Sequence, residues 1–133
     1  MASLDEENLA LVKTAYEAGA RGDWDTFFAN VTDETLFHEA PSLPYGGIYR
    51  GRADIQRGSQ LVVACWENFQ FKVLNYMAGG DVVVAHVLIS GVGRKTGKSF
   101  SMPIMELWRI KDGKVVELRP FYWDTHRCLE CLG

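Results

Sequence analysis

Long apolar runs, an excess of basic charge and a disulfide framework are all missing from this sequence. No uninterrupted apolar stretch approaches the roughly 18 residues that a membrane-spanning helix needs, so no membrane partner is expected. Lysine and arginine number 14 against 17 aspartates and glutamates, a net charge of −3. That balance lacks the basic patch that displaces counterions from nucleic acid. The opening "MASLDEENLA" has neither the basic start nor the apolar core of a secretory signal. Three cysteines, one of them alone at Cys65, do not make a disulfide set. These absences predict a reduced, cytoplasmic protein. Also absent are a phosphate loop, a dinucleotide fingerprint, HExxH and GxSxG. "GVGRKTGK" (91–98) lacks Walker spacing and falls in a predicted hairpin. Cys128 and Cys131 stand at CxxC spacing after His126, but a zinc site of that kind needs a second pair. No cofactor and no metal are expected.

What is present suits a folded core. The 133 residues are 47% hydrophobic and 23% charged, which fits a single domain over 1–133, with the tail from about 126 frayed. Ser3 to Glu6 form a capping box that opens a helix with a stripe of Leu9, Val12, Tyr16 and Gly19 or Ala20. Gly22 stops it, and Asp23 caps a second helix through Trp24, Phe27, Phe28 and Val31. Residues 33 to 39 alternate as a strand, with Phe37 and Glu39 on one face and Leu36 and His38 on the other. A loop rich in proline and glycine follows. A third helix then buries Ile55, Leu61, Val62, Cys65 and Trp66, with Gly58 weakening it. Four strands complete the chain, joined by turns at "GGD", "RKTGK" and "KDGK". Helices first and antiparallel strands after make the class α+β. The strands at Val82–Ile89 and Ile104–Ile110 are apolar on both faces, which implies a second covered surface, most simply a homodimer partner.

Carboxyls occur where apolar residues are expected. Glu106 lies between Ile104 and Trp108 on one strand face, although Pro103 could mark a bulge that shifts the phase. A carboxylate there must pair with a cation such as Arg119 or Arg109, accept hydrogen bonds, or stay protonated. Glu39 at its strand end is either a solvated terminus or a carboxylate at a pocket mouth. His38 faces away from it. His86, inside an apolar strand, reads first as a hydrogen-bonded core residue. On the last strand Glu117, Arg119, Phe121 and Trp123 share one face; Val116, Leu118, Pro120, Tyr122 and Asp124 share the other. The aromatics there could line a pocket, the core or an interface. The Tyr16 ring belongs in the core, where its hydroxyl needs a partner.

The segments "YEAGARGDWDTFFANVTDETLFHE", "LPYGGIYRGRADI", "GGDVVVAHV" and "MELWRIKDGKVVELRPFYWD" together resemble the SnoaL-like, ketosteroid-isomerase-like branch of the nuclear-transport-factor-2 superfamily. The resemblance runs to about Thr125. It implies a cone, of cystatin-like α+β type, in which a curved antiparallel sheet wraps the N-terminal helices around one deep apolar pocket. It also implies dimerisation through the outer sheet face. Glu39 falls at the family's general base and Glu106 at its protonated oxyanion-hole acid; Ketosteroid isomerase is the familiar case of a carboxylic acid kept neutral in an apolar site. The family's oxyanion tyrosine falls one residue from Tyr16. Arg119 is the expected counter-charge of Glu106, and Asp124 and His86 match the aspartate and histidine of SnoaL-type cyclases. Tyr45, on the loop at the rim, Trp66, Trp108, Phe121 and Trp123 would bind substrate. The implied function is a cofactor-free isomerase, cyclase or lyase acting on a small, largely apolar carbonyl, polyketide-like or steroid-like compound. A non-catalytic small-molecule binder or dimerisation module is the alternative. An epoxide hydrolase-like relay through Glu106, Arg119 and Asp124 ranks third.

Overall fold

The computed structural model describes residues 3–133. Helix α1 (Leu4–Ala20) starts where the Ser3 side chain accepts the Glu6 amide at 3.2 Å, the capping contact expected from the sequence. Asp23 caps the single turn α2 (Trp24–Phe27). Val31 belongs to strand β1 (Val31–Glu39) rather than to that helix. A short strand β2 (Gly47–Arg50) pairs back on β1 and precedes helix α3 (Gly51–Cys65), so two elements occupy the stretch expected to form one. Asp54 returns from the first turn of α3 to accept the Arg50 amide at 2.9 Å. Helix α3 buries only Gly51, Ile55 and Gly58. Leu61 is exposed and Trp66 starts the next strand, because the helix packs by its Gly58 face on the Tyr49 ring.

Strands β3 (Trp66–Gly79), β4 (Val82–Gly93), β5 (Ser99–Lys111) and β6 (Lys114–Tyr122) form an antiparallel meander. Asp112 and Gly113, both with positive φ, make the tight β5–β6 turn. The six strands order β2-β1-β6-β5-β4-β3. Seating β1 beside β6 creates one parallel pair, a correction to the all-antiparallel sheet expected. Bulges near Asn68 and Leu74 on β3 break the register and curve the sheet toward the helices. Pro103 marks no bulge: the β4–β5 register is continuous from Val82↔Arg109 to Val92↔Ser99.

Burial along β4 alternates residue by residue, with Val83, Ala85, Val87 and Ile89 on the concave side. On β5 the same side carries Met102, Ile104, Glu106, Trp108 and Ile110. These residues meet Val12, Ala15 and Tyr16 of α1 to make the core. The tail is not frayed. It folds as helix α4 (Thr125–Leu132), amphipathic and capped by the Asp124 side chain, with Cys128 and Cys131 fully buried against the sheet.

Candidate functional site

Two carboxyls enter the concave side of the sheet, and neither has a cationic partner among the described residues. Glu106 is flanked on its own strand by the sealed Ile104 and Trp108, yet it stays partly accessible itself. Its Oε1 accepts the Tyr16 hydroxyl at 2.6 Å, and that hydroxyl oxygen in turn accepts the Trp108 indole N–H at 2.9 Å. An indole can only donate, so the Tyr16 proton is committed to Glu106. Burial raises the pKa of Glu106, with the Tyr16 hydrogen bond opposing. Burial, with the Glu106 charge after it, also raises that of Tyr16. Tyr16 thus meets Glu106 despite the one-residue offset from the family position. Its ring packs edge-on against Phe27, Phe71 and Trp108, which fixes its direction.

Glu39 ends β1 with 5% of its surface exposed. As expected it shares the inner side with Phe37, whereas His38 pairs across with the exposed Ile48 on the outer side. Burial pushes its carboxyl up to about 7; the Ala40 amide, at 3.0 Å, and the neighbouring Tyr122 hydroxyl pull it down, and the Glu106 charge adds to the rise. Beside Glu39, the Tyr45 hydroxyl accepts the Trp66 indole N–H at 3.2 Å. Burial raises both Tyr45 and Tyr122, and lifts the Cys128 thiol on α4 to about 11.

Several expected site residues lie elsewhere. Arg119 does not neutralise Glu106: it points outward and pairs with Glu117 at 2.7 Å, while Arg109 pairs with Asp81 at 3.0 Å. The strand parity explains this, since Glu106 is in register with Pro120 and Arg119 with Leu107. His86 is likewise on the outer side, opposite Met105. Phe121 is 53% and Trp123 79% exposed, so neither lines the interior. Asp124 spends its carboxylate capping α4 by accepting the Arg127 amide. With Arg119 and Asp124 outside, the epoxide hydrolase-like relay loses two of its three members. Tyr45 is not a rim residue but is buried, as is Leu43, so their loop folds into the mouth of the cone. Trp66 and Trp108 are sealed and act through their N–H groups.

The residue missed in the sequence is Tyr122. Its strand alternates charged Glu117 and Arg119 with apolar Leu118 and Pro120, and that parity alone assigns Tyr122 inward and Phe121 and Trp123 outward. Among the described residues no three His, Cys, Asp or Glu side chains converge as a metal site, and no helix is long and apolar enough to cross a membrane. A concavity of about 370 Å³ against β1, β2 and β6 reaches Glu39 and Tyr122, with His38, Ile48, Arg119 and Phe121 also lining it.

The comparisons bear on the fold. No curated protein matches the chain. Its structure is similar to an NTF2-like protein from Burkholderia thailandensis, 28% identical, covering 95% of this chain and 97% of that one with a TM-score of 0.89. It is also similar to a protein of unknown function with a cystatin-like fold from Xanthomonas campestris, 25% identical over 95% and 98% of the two chains, TM-score 0.82. A protein with a ketosteroid isomerase-like fold from Catenulispora acidiphila, 16% identical over 84% of each chain, shares the fold at a TM-score of 0.71. The model of the SnoaL-like domain matches residues 12–118, and the chain belongs to that family.

Proposed function

We propose that this protein is a cofactor-free acid/base enzyme, an isomerase, cyclase or lyase, acting on a small and largely apolar carbonyl compound. The observation that carries the reading is the pair of inward carboxyls with no cation between them among the described residues, one on a backbone amide and the other on a phenol. Glu39 accepts a backbone amide at the end of its strand, whereas Glu106 accepts a phenol within an apolar wall, and burial favours the neutral form of both. Environments that push two acids apart divide the roles of base and acid. Glu39 takes the proton alpha to the carbonyl, and the electron pair moves onto the carbonyl oxygen. Glu106, whose Oε1 is occupied by Tyr16, donates from its other oxygen to that enolate. For an isomerisation Glu39 then returns the proton to a conjugated carbon, so the reaction balances with no co-reactant.

The test is deuterium exchange and double-bond migration across a panel of apolar enones and ketones. Glu39→Gln abolishes exchange and Glu106→Gln slows it; full turnover by Glu39→Gln refutes the mechanism. A non-catalytic binder is the second reading, favoured by the closed mouth that Leu43 and Tyr45 make. Saturable ligand binding without exchange by the wild-type protein would select it. The proposal includes a homodimer through the outer sheet face, supported by the exposed Met77, Met105 and Phe121 there.

A further inference from the structure

Strands β1 and β6 pair in parallel only as far as Phe37↔Leu118. Both run on beyond that rung: β1 reaches Glu39 paired with β2, and β6 reaches Tyr122 paired with β5. The sheet is therefore split between them. Pro120 gives the reason. Ile110 donates its amide to Asp81 on the β4 side, so every second residue back along β5, Trp108 and Glu106 included, turns its backbone groups toward β4. Pro120, opposite Glu106, then turns its nitrogen toward β1, and a proline has no hydrogen there to donate. The concavity of about 370 Å³ lies at this split, lined by His38 and Glu39 from β1 and by Arg119, Pro120 and Tyr122 from β6, with Ile48 of β2 beside them. That volume falls within the roughly 300–1,000 Å³ of small-molecule sites.

We propose that the split between β1 and β6 is a binding site for a carboxylate-bearing ligand, with Arg119 as the anion's anchor and Glu39 bordering the same space. This deepens the reading of Glu39 as a base by naming a second group on the substrate, and rests on that reading only for the chemistry at Glu39. Arg119 is held but not used up. Its Nε donates to Glu117 at 2.7 Å, and among the described residues its two terminal amino groups make no hydrogen bond. Glu117 thus fixes the direction of the guanidinium and leaves its terminal N–H groups side by side, the arrangement that matches the two oxygens of a carboxylate. From the opposite wall the half-buried His38, also without a hydrogen-bond partner among the described residues, offers a ring N–H. Ile48 and Pro120 add apolar surface. One guanidinium in such a lining suits a carboxylate, whereas phosphate groups recruit clusters of arginine.

The probes are 3-phenylpropanoate and its carboxamide, which match in shape and differ in charge. Binding is followed on the imidazole resonances of histidine-labelled protein, with His38 assigned through His38→Gln. The acid should shift His38 saturably, leave His126 unmoved and bind about tenfold tighter than the carboxamide. Arg119→Gln should level the two affinities. Ile48→Glu, at an exposed position on the rim, should weaken the acid more than the carboxamide by placing a like charge beside it. Equal affinities in the wild type, no saturable His38 shift with the acid, or a preference that survives Arg119→Gln overturns the proposal. If Arg119→Gln does not fold, Ile48→Glu decides: a reduced preference supports the site and an unchanged one overturns it. Because binding is read without turnover, deuterium exchange on neutral ketones with no anion preference removes only this site, and an anion preference without exchange removes only the catalytic reading.

Discussion

Glu39 keeps an unusual carboxyl because it is buried and its hydrogen bonds only partly offset that burial. Its group titrates near 7 in the fold against an ordinary 4.5, so folding binds a proton between those values. The folded form is stabilised by the protonated acid below about pH 4.5, and that advantage is lost as pH rises through 7. The full difference is on the order of 3 kcal/mol. Glu106 shifts the same way and adds to it. Denaturant melts from pH 4.5 to 8 will show the wild type losing stability with pH, whereas Glu39→Gln follows a flatter curve; a parallel pair of curves refutes the assignment. Tyr16→Phe should cost about 1–3 kcal/mol, because the sealed Trp108 N–H loses its acceptor. It should also raise the Glu106 pKa further, which carboxyl ¹³C titration would detect. Both acids were legible in the sequence, since a glutamate interrupts an apolar alternation in each case. Their partners were less so. A neutral phenol at a strand end leaves no such mark, and Arg119 attracted attention as a cation on the strand that follows Glu106.

The β1–β2 loop and α4 close the cone over Glu39, and both depend on tight backbone contacts. The turns at Leu43→Ala40 and Gly46→Leu43 fold the loop so closely that a Cβ on Gly46 would land on the Ala40 carbonyl oxygen. Backbone atoms cannot swing aside as a side chain can, so Gly46→Ala should lower stability by about 2 kcal/mol or more. Gly79→Ala, where an added Cβ meets nothing within 4 Å and φ is not positive, should stay within about 0.5 kcal/mol. Thermal melts of the two variants decide it; equal melting temperatures would mean that the loop is not packed as described. For α4 the readout is thiol labelling. Cys65 is half-exposed and Cys128 and Cys131 are fully buried, so Cys65 reacts first and the helix pair only when α4 lifts. The cysteine spacing that suggested a metal pair is the i,i+3 spacing of a helix face. Eight residues at a chain end are too few for periodicity to announce a helix unless the packing surface is known.

At the scale of the whole molecule, helices before strands, capping residues and the Asp112–Gly113 turn made the α+β class and the four-strand meander readable in advance. The parallel seating of β1 beside β6 was not readable, because strands some eighty residues apart leave no local signature of their pairing. The same holds for the outer face. Alternation is clean in burial along β4, and along β5 outside Glu106 and Leu107, but not in composition: the outward positions include Val84, Leu88, Met105 and Leu107. Across the sheet, His86, Met105 and Phe121 stand in one register row, and Met77, Val84 and Leu107 in the next. An apolar face of this kind, left open to water, favours self-association. Met105 is central to it and 40% exposed, so Met105→Lys leaves the monomer fold intact while placing a cation at the middle of the buried patch. Sedimentation velocity on the wild type should show a dimer, and Met105→Lys should dissociate at the same concentration with an unchanged far-ultraviolet spectrum. A dimer that survives the charge, or a wild type that sediments as a monomer at all concentrations, places the interface elsewhere or removes it.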